Sequence, residues 1–205
     1  MVGGRWSTEA LVAGWGERLS AIPWAVALQQ YNLLDSHDTQ RIRTVVNGND
    51  ALHRLATALL LTFPGVPGLY YGDEIGLTDI PHLKQRGCMI WDEARWDKPL
   101  RDYHQQLIQL RRRSAALQRG GFQIALCEQD TVAYQRETAD ERVLVFAHRA
   151  GTPRPAGSVP VTHLGVPDGA CFVDPLSGLE LPVSDGALSL PELPAGALIL
   201  QQFRS

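Results

Sequence analysis

The sequence predicts an α/β region over residues 1–120 followed by an all-β region over 121–205. Three observations predict this. A helical stripe lies between two short apolar runs, Ala25 to Leu34 and Leu69 to Tyr71. Both runs end in clustered charge, at Asp35 to Asp38 and at Asp73–Glu74. From Phe122 onward, short β-like runs alternate with Gly, Pro and Asp turns.

Taken in order, Ser7 can cap a first helix with Glu9 in its first turn and Leu11, Val12, Trp15 and Leu19 on one apolar side. Pro23 closes it, and Ala25 to Leu34 reads as a buried strand. Asp50 caps the next helix, whose apolar positions Leu52, Leu55, Ala56, Leu59, Leu60 and Phe63 fall on one stripe. PGVPG breaks that helix, and Leu69–Tyr70–Tyr71 follows as a short strand. Strand, helix, strand at this length is a βαβ unit with parallel strands. Ligand sites in such sheets lie at the carboxyl ends of the strands, where both charged clusters fall.

Ile75 to Lys98 lacks periodicity but holds Arg86, Trp91 and Trp96; tryptophans argue against disorder, so a functional loop is expected. A helix from about Pro99 to Leu117 ends at Gly120–Gly121. Beyond it, FQIALCE, TVAYQR, RVLVFAH, VPVTHL, ACFVD, ALSL and ALILQQF suggest an antiparallel sandwich or barrel.

Composition excludes several classes. A net charge of −3 gives no general attraction to nucleic acid or anionic lipid. Arg111–Arg112–Arg113, the one dense basic cluster, reads as a solvated helix face. Three widely spaced cysteines form neither a disulfide framework nor a metal pattern and favour a reducing, cytoplasmic setting. The longest apolar run, Leu55 to Phe63, is far short of the roughly 20 residues that span a bilayer, and MVGGRWSTEA is no signal peptide.

The stretch YNLLDSHDTQR holds the chemistry. Charge at the end of a buried strand is costly unless paired or used. On the residues alone, Asp38 is either a strand-end acid that caps a helix or pairs with Arg41, or a functional carboxylate. His37 alone is more often a satisfied histidine, Asp35 a supporting acid and Ser36 small for packing. A metal site from Asp35, His37 and Asp38, with or without His53, needs further ligands, as does a His-Asp phosphohydrolase; no metal or cofactor is expected.

NLLDSHDTQR, GVPGLYYGDEIGL and RGCMIWD, in that order, resemble the late motifs of the α-amylase superfamily of glycoside hydrolases. DSHDT is most similar to its neopullulanase, cyclomaltodextrinase and maltodextrin glucosidase branch. VLVFAHRAG, FVDPLSG and LPAGALIL resemble the β domain that follows the barrel in that family. The resemblance implies the last strands, seven and eight, and helices of a (β/α)8 TIM barrel over residues 1–120. An antiparallel β-sandwich domain would cover 121–205. It implies that Asp38 stabilises the oxocarbenium-like transition state, that His37 contacts the same sugar, and that Arg41 and Arg86 line the cleft. Glu74 matches a structural position.

The implied substrate is an α-glucan oligosaccharide cleaved with retention, which takes a nucleophile and an acid/base carboxylate about 5 Å apart. The family carries that pair before the Asp38 motif, where this chain has only Glu9, Glu17 and Asp35. The chain is therefore expected to be inactive alone and to need the N-terminal part of the barrel. Two parallel strands cannot close a barrel and should leave edges exposed. The other reading is a non-catalytic carbohydrate-binding module in which Trp91 and Trp96 stack on sugar rings.

Overall fold

A computed structural model describes residues 6–203. Helix α1, Thr8–Ser20, starts where the sequence predicts: the Ser7 hydroxyl accepts a bond from the Ala10 N–H at 3.1 Å. Its Trp15 ring packs against Phe63, Phe122 and Tyr134, with centroids 4.9, 6.2 and 5.9 Å away.

The expected long strand is broken. Pro23 begins a helical turn, α2, Trp24–Ala27, and strand β1 is confined to Tyr31–Leu33. Residues 42–45 form a short helix, α3, Ile42–Val45. Helix α4, Asp50–Thr62, is capped by Asn49, whose side chain accepts from the Leu52 N–H at 3.1 Å, so Asp50 is the first helical residue and not the cap.

Strand β2 is Val66–Gly68, three residues earlier than expected. The Tyr31 ring lies over Gly68, where a Cβ would come within 2.1 Å of its hydroxyl, so a larger residue there would push that ring aside. The two strands are parallel, with Tyr31 opposite Val66 and Leu33 opposite Gly68. This pair is not buried. Tyr31 is 63% exposed, and Leu33, Val66 and Leu69 are also exposed, because no further strand flanks the pair among the described residues.

Helix α4 is buried nearly all round. Leu55, Ala58 and Leu61 face the β region, and Ala56 meets Ile42 and Val46. Its C-terminal carbonyls are satisfied by two arginines, as helix ends demand. Arg111 Nη1 donates to the Leu61 and Phe63 carbonyls, and Arg136 Nη1 to the Thr62 carbonyl. Arg111 therefore departs from the expected solvated face; Arg112 and Arg113 remain exposed.

The predicted helix after the loop is two helices. α5, Lys98–Arg113, is capped by Asp97, and α6, Ala115–Arg119, restarts at Ser114, whose hydroxyl accepts from the Leu117 N–H. Beyond them run β3 Gly121–Cys127, β4 Thr131–Glu137, β5 Glu141–His148 and β6 Gly157–Pro160. β7 Cys171–Val173, β8 Glu180–Ser184, β9 Ala187–Leu190 and β10 Gly196–Phe203 complete the sheet. The sequence reading misses β8, which carries Pro182 at its centre.

These strands form one continuous antiparallel sheet in the order β3-β4-β5-β10-β7-β8-β9-β6, where an antiparallel sandwich or barrel was expected. The sheet curls so that Leu144, Phe146 and Leu200 meet Val159, Phe172, Val183 and Leu188 in one core. The opposite face of β4, β5 and β10 presents Tyr134, Val143, Val145 and Ile199 to α4, α5 and α6. Those three strands are a middle layer covered on both sides, which is why β5 is buried along its whole length without the usual alternation.

Candidate active site

The site lies beyond the carboxyl ends of β1 and β2. Residues 36–39 make a tight turn closed by their own side chains: Ser36 Oγ accepts from the Asp38 N–H at 3.1 Å, and Thr39 Oγ1 accepts from the Ser36 N–H at 2.9 Å. Ser36 thus shapes the turn and is not there merely for its size. The turn sets the Asp38 carboxylate on the surface, its side chain 67% exposed. Oδ1 accepts from Arg86 Nη2 at 3.0 Å, and Oδ2 lies 3.2 Å from His37 Nε2.

Arg86 reaches the turn from the loop between β2 and α5. Its Nε, with Gln85 Nε2, donates to the His37 carbonyl at 2.8 and 2.6 Å. That loop is in turn held over the second strand's end: Tyr71 donates to the Gly87 carbonyl at 2.8 Å, and Tyr70 lies 3.4 Å from the Gln85 carbonyl. Asp38, His37 and Arg86 therefore share one exposed surface.

Arg41 does not share it. Arg41 is fully buried beneath the turn, and Asp35 and Asp73 are buried with it. Its Nη1 donates to the Tyr71 carbonyl at 2.7 Å and to Asp73 Oδ1 at 3.3 Å. Its guanidinium stands over the Tyr70 and Tyr71 rings, 4.6 and 4.8 Å from their centroids. The Arg41 N–H donates to Asp79 Oδ1, and Asp35 Oδ2 accepts from the Ile42 N–H. Burial pushes the Asp73 carboxyl up to about 9, reinforced by its hydrogen bond to Asp35 and that group's charge.

Glu74 Oε2 accepts from the Gly72 N–H at 2.8 Å, closing the turn after β2. Trp91 is 80% exposed, whereas Trp96 donates to the Ile90 carbonyl at 2.7 Å and carries the Arg101 guanidinium over its ring. The two tryptophans do not form one platform of free rings. Sequence reasoning overlooks Gln85, Asp79 and the tyrosine pair; the Tyr70–Tyr71 repeat was the available signal, while nothing marks Gln85 or Asp79 in a loop without periodicity. Among the described residues no group of three or more His, Cys, Asp or Glu could hold a metal ion, and no helix is long and apolar enough to cross a membrane. His53 packs on His104, with ring centroids 5.9 Å apart.

An exposed carboxylate between an imidazole and a guanidinium offers acceptors and donors to a polyhydroxylated ring. Comparison with known proteins gives the family. Residues 5–116 match the alpha-amylase catalytic domain, and the chain belongs to that family. A cyclomaltodextrinase from a Bacillus species is 39% identical over 132 residues, covering 63% of this chain and 24% of that protein. Neopullulanase 2 from Thermoactinomyces vulgaris is 35% identical over 186 residues, covering 89% of this chain and 31% of that one. The solved structure of cyclic alpha-maltosyl-(1→6)-maltose hydrolase from Arthrobacter globiformis superposes with a TM-score of 0.77 at 30% identity, over 97% of this chain and 41% of that one. The chain spans about a quarter to a third of the length of the curated relatives it matches.

Proposed function

We propose that this chain is the C-terminal portion of an α-glucan-acting glycoside hydrolase that cleaves maltodextrins or related substrates with retention. Residues 1–120 would supply the last part of a (β/α)8 barrel, and 121–205 the β domain after it. The observation that carries the reading is the exposed Asp38 carboxylate, held by His37 and Arg86 at the carboxyl end of β1. Asp38 would accept two hydroxyls of the sugar at the cleaved bond, contacts that strengthen as ring charge develops. His37 and Arg86 would bind the same substrate. The nucleophile and acid/base would come from the rest of the barrel, which would also cover the exposed Tyr31, Leu33 and Val66. The free cysteines Cys88, Cys127 and Cys171 suit a cytoplasmic setting.

The test is α-1,4-glucan hydrolysis by the native gene product and its Asp38→Asn variant. Loss of about a hundredfold or more in kcat with little change in KM is expected. An unimpaired variant refutes the role. The exposed Trp91 supports a second reading, a carbohydrate-binding module without catalysis. Micromolar quenching of tryptophan fluorescence by maltotriose in the 205-residue chain would favour it.

A further inference from the structure

We propose that Arg41 is a positioning residue for Asp38, clamping the loop after β1 to the turn after β2 from below. The inference rests on the reading of Asp38 given above for its functional meaning, and on geometry for its substance. Asp38 and Arg41 belong to one short loop, three residues apart. Above that loop, Asp38 is held by Arg86 and His37, whose side chains are 61% and 65% exposed. Exposed pairs of this kind contribute little and are screened by salt. They cannot by themselves hold a carboxylate to the tolerance that stabilising a transition state requires.

The buried layer can. Arg41 spends its side-chain contacts on the other loop, at the Tyr71 carbonyl, Asp73 and both tyrosine rings. Its own N–H is taken by Asp79, whose N–H in turn donates to Thr44 Oγ1 at 2.8 Å. Asp35 fixes the loop's other end by accepting from the Ile42 N–H. The guanidinium thus ties the loop after β1 to the turn after β2, while the Arg41 backbone N–H ties the same loop to Asp79.

Charge counting closes the arrangement. The buried Arg41 guanidinium lies 3.3 Å from one buried carboxylate, Asp73, and a second, Asp35, is buried in the same loop; an uncompensated buried charge is costly. Burial favours a proton on the Asp73 carboxyl at neutral pH. That proton supplies a hydrogen-bond donor toward Asp35.

Hydrogen exchange on the full chain tests this independently of any activity. Arg41→Met should speed exchange in residues 35–41 and 70–74 by about tenfold or more, with β5 and β10 unchanged. Asp73→Asn, a neutral isostere of the protonated acid, should change it by less than about threefold at neutral pH. Unchanged exchange in 35–41 for Arg41→Met, or an equal rise in β10, overturns the inference. In the native gene product, Arg41→Met should lower kcat with KM nearly unchanged. Full kcat in Arg41→Met beside a crippled Asp38→Asn also overturns it. If instead Asp38→Asn retains full activity, the catalytic reading falls, and the exchange measurement still decides whether Arg41 clamps the loop.

Discussion

Acid should destabilise this fold through His53. Its ring is fully buried in α4, and neither nitrogen has a partner among the described residues. Burial chiefly, then the neighbouring His104 and Arg43, pull its pKa from 6.5 to about 3. Arg54 acts in the same direction, and Asp50 opposes. A histidine depressed in the folded state binds its proton more readily when unfolded, so stability is intact above pH 6.5 and falls as pH drops toward 3. Between pH 7 and pH 5 the loss from this group is about 2 kcal/mol, at 1.36 kcal/mol per unit. His104, also lowered by burial, adds to it. The perturbation is His53→Leu, which fills similar space without a titratable group. Urea unfolding at pH 7 and pH 5 should show the variant losing about 2 kcal/mol less than the wild type. Equal losses in the two proteins would refute the argument.

Arg136→Met should cost about 2–4 kcal/mol in urea unfolding, since it strands the carbonyls of Thr62, Gly120 and Gly121; a loss under about 1 kcal/mol would contradict their role. Gly72→Ala should lower Tm by about 3–6 °C, because Gly72 has φ +90° and a Cβ there would meet Leu77 Cδ1 at 2.3 Å; an unchanged Tm counts against that strain. Tyr134→Phe removes the buried bond to Thr62 Oγ1 and should cost about 1 kcal/mol, measurable by the same unfolding series.

The parallel unit and the β region could be read from the chain because their signals are local: a helical stripe, turn residues and β-branched runs. Asp38, His37 and Arg86 were legible as a motif, and the structure brings all three together. Arg41, placed along the cleft by the resemblance, is buried instead, because its side-chain contacts lie 30 to 32 residues away in sequence. Arg111 was misplaced for the same reason: its acceptors belong to a helix some 50 residues earlier. The long strand at Ala25 failed because an apolar run does not distinguish a buried strand from a helical turn.

The place of β10 bears on how the protein can be made. It is the last strand of the sheet in chain order, yet it lies in the middle, between β5 and β7. Its Ile199 also completes the core shared with α4. A ribosome releases the sheet's two halves, β3–β5 and β6–β9, before the strand that joins them. Until residue 203 has emerged, β5 and β7 present open edges, and α4 lacks part of its floor. A chain that stops short of Gly196 would therefore lose more than a terminal strand. It would leave two unjoined pieces of sheet, with the helix that leads to the candidate active site resting on an incomplete layer.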